Sequence, residues 1–193
     1  MTTQATSTLN GLDTQRMFET LGAIQADPSL AQFQFRARNR WISGGANQST
    51  IQDFYGAGRE DDSRTEPFVF TNGEPPVLLG ANEGANPVEY LLHALAGCVT
   101  TTLVLHAAAR GIRIESIHTE MEGEMDLQKM LGLREDLHSG YKEIRMKMDV
   151  QADCSDEELE QLMAFVKQRS PVCTTVCQPV PVILERVRVT QTA

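Results

Sequence analysis

The sequence predicts an α+β domain in which antiparallel strands pack against helices. Three observations predict it. Segments of two-residue alternation come in pairs, 33–42 with 66–71 and 112–126 with 142–151. A long apolar segment at 86–111 carries both a helix start and a helix stop. The resulting order, β-β-α-β-β-α-β, places strands in pairs rather than in βαβ crossovers, which argues for an antiparallel sheet against helices.

The elements follow in chain order. Residues 9–25 place Leu9, Leu12, Met17, Leu21 and Ile24 at helical spacing, closed by Asp27-Pro28. They form an amphipathic N-terminal helix packed on the main body, within an extension over residues 1–31 that precedes the domain at 32–193. Residues 33–42 alternate, with Phe33, Phe35, Ala37 and Trp41 on one face and Arg36, Arg38 and Arg40 on the other. The Gly-, Asp- and Ser-rich stretch 43–65 reads as a long loop or irregular hairpin, 66–71 as a short strand, and 72–85 as a turn-rich lead-in.

At 86–111, Asn86 is an N-cap, Pro87 suits the first helical position, and Glu89 completes a capping box. Gly111 supplies the stop. The segment is apolar nearly all round, which predicts a buried core helix of ~36 Å. Ile112 and Ile114 then fall in the opposite phase from Ile117, Thr119 and Met121, so a bulge or bend lies between them. Residues 127–140 predict a short helix and a turn. Ser155 and Glu158 form a capping box opening a helix to about Arg169; Pro171 breaks it, and Val180–Val189 is a last strand.

Composition restricts the partners. The chain of 193 residues has 17 Lys plus Arg against 26 Asp plus Glu, a net charge of −9. Such a surface repels phosphate backbones and anionic lipid, which disfavours nucleic-acid and membrane roles. No apolar stretch reaches the ~20 residues of a membrane span, and the N-terminus lacks a secretion signal. A cytoplasmic location is expected, and with it four reduced cysteines: Cys98, Cys154, Cys173 and Cys177.

Chemistry in such a chain falls to a thiol. Cys98 lies in the middle of the long helix, either as a small core hydrophobe or as a nucleophile. It is about three turns in, beyond the reach of the helix dipole. Leu91, Ala94, Leu95, Thr101, Thr102 and Leu105 share its face, and no base is among them. An activating cation must come from another element, and the Arg36/Arg38/Arg40 face is the candidate. His93 and His106 point to other faces. Cys173 and Cys177 are four apart, poor spacing for zinc, so no metal or cofactor is expected; Cys154 reads as inert. No phosphate-binding or serine-nucleophile motif is present.

Two motifs carry a resemblance. Gly84-Ala-Asn-Pro-Val-Glu-Tyr-Leu-Leu-His-Ala-Leu-Ala-Gly-Cys98 and Ser170-Pro-Val-Cys-Thr-Thr-Val-Cys-Gln-Pro-Val-Pro-Val182 resemble the OsmC/Ohr family of thiol-dependent organic hydroperoxide reductases. The resemblance covers roughly Phe33 to Val189. It implies an OsmC-like fold: an intertwined homodimer with antiparallel sheets wrapped around two central helices. It also implies that Cys98 attacks an organic hydroperoxide, that a second Cys condenses with the resulting sulfenic acid, and that a dithiol reductant reopens the disulfide. The chain departs from the family pattern in three places. Ser170 stands where the peroxidase branches have the resolving Cys, leaving Cys173 as its stand-in. Val88 stands where one branch has a Glu that orients the activating Arg. That Arg has no match, and Arg40 takes its place. The alternative expectation is a non-catalytic relative that binds a small apolar ligand at the dimer interface, with Cys98 as packing.

Overall fold

A computed structural model describes residues 8–187 of the chain. A small hairpin, β1 (Thr8–Leu9) and β2 (Leu12–Asp13), precedes α1 (Thr14–Ala26) and a 3-10 turn at Pro28–Ala31. Then come β3 (Gln34–Phe35), β4 (Arg38–Ser43), β5 (Ala46–Ile51), β6 (Phe54–Gly56), β7 (Arg59–Asp61) and β8 (Phe68–Asn72). After a 3-10 turn at Pro76–Leu78, the chain forms α2 (Pro87–Ala109), β9 (Ile114–Met125), β10 (Tyr141–Ala152), α3 (Asp156–Lys167) and α4 (Pro171–Cys177). Among the described residues every strand pairing is antiparallel; an isolated parallel bridge joins Asn72 to Ala85. The architecture is α+β, with sheets β4-β5-β8, β3-β6-β7 and β9-β10 besides the first hairpin.

Helix α2 begins as its sequence requires. The Asn86 side chain accepts from Val88 N at 2.9 Å, and Glu89 accepts from Asn86 N at 2.8 Å. The lead-in is held against β8 through Gly84, where a Cβ would overlap the Thr71 carbonyl oxygen. Tyr90 donates to that same oxygen at 3.0 Å, and Tyr141 of β10 donates to Val88 O at 3.0 Å. The first turn of α2 is therefore pinned between two sheets.

The core is a stripe on α2. Leu95, Val99, Leu103 and Ala107, four residues apart, pack with Leu162 and Val166 of α3. The inward side chains of β9 and β10, among them Ile117, Met121, Ile144 and Met146, close over this stripe. The expected phase change in β9 is present as a register shift: Gln151 faces Ser116, and Ala152 faces Ile114.

Several expectations are corrected. Helix α2 is not buried all round within one chain: Leu91, Ala94, Thr101 and Leu105, on the same side as Cys98, are exposed. With 23 residues and a mean hydropathy of 1.6 over its most apolar window, it also has the length and composition of a membrane span, contrary to the sequence expectation. Of the two expectations for 43–65, the long loop is overturned: the stretch holds β5, β6 and β7, the last two forming a hairpin. It lacks apolar alternation because β5 is joined to its neighbours by polar side chains: Asn39 to Asn47 at 2.7 Å, and Asn72 to Asn47 at 2.9 Å. The strand expected at 33–42 is split into β3 and β4. Residues 127–140 form turns without a helix, with Gly132 at φ 71°. Residues 180–187 carry no strand, and the last two residues of the expected strand lie outside the described residues. Helix α1 buries none of its residues. The extension is tied instead by Asn10, which donates to Ile112 O and accepts from Ile114 N, both at 2.9 Å.

At the far end of α2, His106 stacks edge-on against Phe165 of α3 at 4.8 Å, and Arg110 and Arg169 lie over the same ring. Burial and then the two arginines hold the His106 imidazole below its ordinary range. The unfolded chain therefore takes up this proton before the folded one does. The stabilising contribution is complete above about pH 6.5 and is lost as pH falls through the lowered value. The expected result is a melting temperature that declines from about pH 7 to 5.5, above the range where the carboxylates titrate. His106→Gln flattens that slope; an identical slope in the variant would refute the assignment.

Candidate functional site

The end of α3 places the site. Ser170 N donates to Val166 O at 2.9 Å, so the chain turns tightly between α3 and α4. Pro171 takes the first position of α4 with Ser170 as N-cap, accepting from Cys173 N at 3.4 Å. The same hydroxyl donates to Cys98 Sγ at 3.1 Å. Ser170 is 0% exposed, so its hydroxyl is committed to these two partners. Thr102 Oγ1 back-bonds to Cys98 O at 2.7 Å, a local helix contact.

Cys173 stands one turn into α4, partly buried beside the core. Burial pushes its thiol up, the neighbouring Cys177 thiol and the Cys98 sulfur add to this, and Lys167 opposes it. Cys177 ends α4 and is exposed. Both α4 cysteines line an open cleft of about 650 Å³ with Leu103 of α2, Met146 and Met148 of β10, and Met163 of α3. The lining is chiefly apolar, with Lys167 and Lys142 bordering it.

The family profile described as OsmC-like protein matches residues 80–185. The chain belongs to this family. The match contains every element around Cys98, from α2 to α4. The OsmC-like chain is similar in structure to an OsmC-like protein from Mycoplasma pneumoniae, at 20% identity over 76% of this chain and 89% of that one, TM-score 0.59. It is also similar to an OsmC-like protein of unknown function from Vibrio cholerae, at 12% identity over 74% and 92% of the two chains, TM-score 0.55. A third likeness is to an organic hydroperoxide resistance protein, OsmC, from Legionella pneumophila, at 15% identity over 76% and 90%, TM-score 0.51. At these identities the likenesses establish the fold. No curated protein matches the chain.

The OsmC-like fold thus brings Cys98 and Cys173 together around Ser170 and leaves Arg40 elsewhere. Arg40 lies exposed on β4, and its guanidinium donates to Gln48 of β5 at 2.7 Å. Arg36 is held by Glu60 at 2.7 Å and by Asp53 at 3.2 Å, and Arg38 by Asp53 at 3.2 Å. Of the three strand arginines, Arg40 alone lacks an acidic partner among the described residues. His93 is exposed and His106 is engaged with Phe165, so neither partners Cys98. Burial and the nearby Glu158, Asp153 and Asp156 push the Cys154 thiol up, which makes it a poor nucleophile. Among the described residues no group of three or more His, Cys, Asp or Glu side chains is placed to hold a metal.

Sequence reasoning missed two features here. It placed Ser170 in the motif but not in contact with Cys98, 72 residues away. It also read Cys177 only as half of a poor zinc pair. The Ser-Pro pair was the available signal, because it marks the start of a new helix rather than the end of the old one.

Proposed function

We propose that this protein is a thiol-dependent peroxidase for organic hydroperoxides, acting in the reducing cytoplasm as an intertwined homodimer with the two α2 helices at its centre. The Cys98 thiolate attacks one peroxide oxygen. A sulfur–oxygen bond forms, the oxygen–oxygen bond breaks, and the departing alkoxide takes a proton to leave as the alcohol. Cys173 then condenses with the sulfenic acid, forming a disulfide and releasing water. A dithiol reductant returns both sulfurs to thiols.

The observation that carries this reading is the Ser170 hydroxyl at 3.1 Å from Cys98 Sγ, with Cys173 one turn beyond it. Family membership and the name of the Legionella relative lend support. The side of α2 that holds Cys98 is open along Leu91, Ala94, Thr101 and Leu105, a face suited to a second copy. Arg40, uncompensated on β4, is the group such a copy would bring to the sulfur.

A second reading is favoured by the cleft: a non-catalytic protein that holds a small apolar ligand there, with Cys98 as packing. Thiol counting separates the two. One equivalent of cumene hydroperoxide should remove two thiols, and the loss should require both Cys98 and Cys173. Loss of Cys98 alone, trapped by dimedone, would mean resolution by an external thiol. Thiols unchanged over minutes would leave only the ligand-binding reading.

A further inference from the structure

Cys177 has no part in the chemistry above, yet it stands where that chemistry must meet a reductant. Cys98 and Cys173 are both partly buried, Cys98 against the buried Ser170 hydroxyl, whereas Cys177 is exposed and lines the cleft. Cys173 and Cys177 sit one turn apart on α4 and line the same cleft. Of these three sulfur-bearing residues, Cys177 alone is exposed.

We propose that Cys177 is a relay thiol that moves the disulfide from Cys98–Cys173 outward to Cys173–Cys177, where a small dithiol reduces it. The inference rests on Cys98 and Cys173 being the attacking and resolving pair. In the step, the Cys177 thiolate attacks the Cys173 sulfur of the Cys98–Cys173 disulfide. The Cys173–Cys177 bond forms, the Cys98–Cys173 bond breaks, and the electron pair leaves on Cys98 as thiolate. No external oxidant or reductant is consumed until the dithiol attacks the exposed Cys177 sulfur.

Direction comes from the leaving group. A sulfur that departs as a stabilised thiolate leaves faster, and Ser170 Oγ stands at 3.1 Å to donate to Cys98 as it leaves. Spacing explains why the product is easily reduced. Cβ atoms four apart on a helix are about 5–6 Å apart, whereas a disulfide wants roughly 3.5–4.5 Å. The last turn of α4 must therefore tighten, and a strained, exposed disulfide is the labile kind. Cys177 is the terminal residue of α4, so this adjustment disturbs little else.

Mass mapping after one equivalent of cumene hydroperoxide tests the relay, because Cys173 and Cys177 share one tryptic peptide and Cys98 lies in another. The wild type should show an internal disulfide in the shared peptide. Cys177→Ser should consume peroxide but keep a cross-link between the two peptides, and its turnover with dithiothreitol should fall about tenfold or more. A cross-linked Cys98–Cys173 product in the wild type, with Cys177→Ser turning over at the same rate, would overturn the relay and leave the peroxidase reading standing. Absence of any thiol loss in the wild type would overturn both.

Discussion

Cys98→Ser is expected to abolish hydroperoxide reduction, by on the order of 10³-fold or more in kcat/KM, equivalent to about 4 kcal/mol of transition-state stabilisation. The hydroxyl that replaces the thiol is not ionised near neutral pH and is a far weaker nucleophile toward peroxide oxygen. Folding should be almost untouched. Serine is slightly smaller, the site is only partly buried, and the new hydroxyl can exchange hydrogen bonds with Ser170, so the stability change should stay under about 1 kcal/mol. Paired assays decide the matter: initial rates with cumene hydroperoxide and thermal melts of both proteins. A variant that keeps its rate would remove the peroxidase reading. A variant that melts far below the parent would show Cys98 to be packing.

The largest effect on stability is expected at Leu162. It is 0% exposed and joins α3 to the α2 stripe beside Leu103 and Val166. Leu162→Ala removes buried methyl groups and leaves a cavity whose walls are two packed helices, so the cost should be about 3–4 kcal/mol. For a chain of this size that corresponds to roughly 10 °C in Tm. Denaturant titration with an unchanged m-value gives the clean measurement. A loss below about 1 kcal/mol would mean that α3 is not clamped on α2. Because α3 leads directly into Ser170, the variant should also lose activity at temperatures where it is still folded.

Local signals were legible where they were self-contained. The capping boxes at Asn86 and Ser155, the stop at Gly111 and the phase break before Ile117 involve residues a few positions apart, and each is present. Strand β5 was hidden because polar cross-strand pairs, not apolar alternation, hold Asn47 and Gln48 in place. The all-round apolarity of α2 suggested complete burial, but one chain covers only the Leu95–Ala107 stripe. At the site, Cys98 was identifiable from its motif. The hydroxyl against it depends on a contact across 72 residues, which no periodicity records.

Ser170 has one more consequence if Cys98 is the attacking group. An alcohol cannot capture an oxidised sulfur, so the nearest neighbour of the sulfenic acid offers it no covalent escape. Rescue waits on Cys173 crossing from the next turn of α4. During that interval a second peroxide molecule competes and carries the sulfur to the sulfinic acid, from which small thiols do not recover it. The arrangement therefore suits scarce oxidant and fails by self-inactivation when oxidant is abundant.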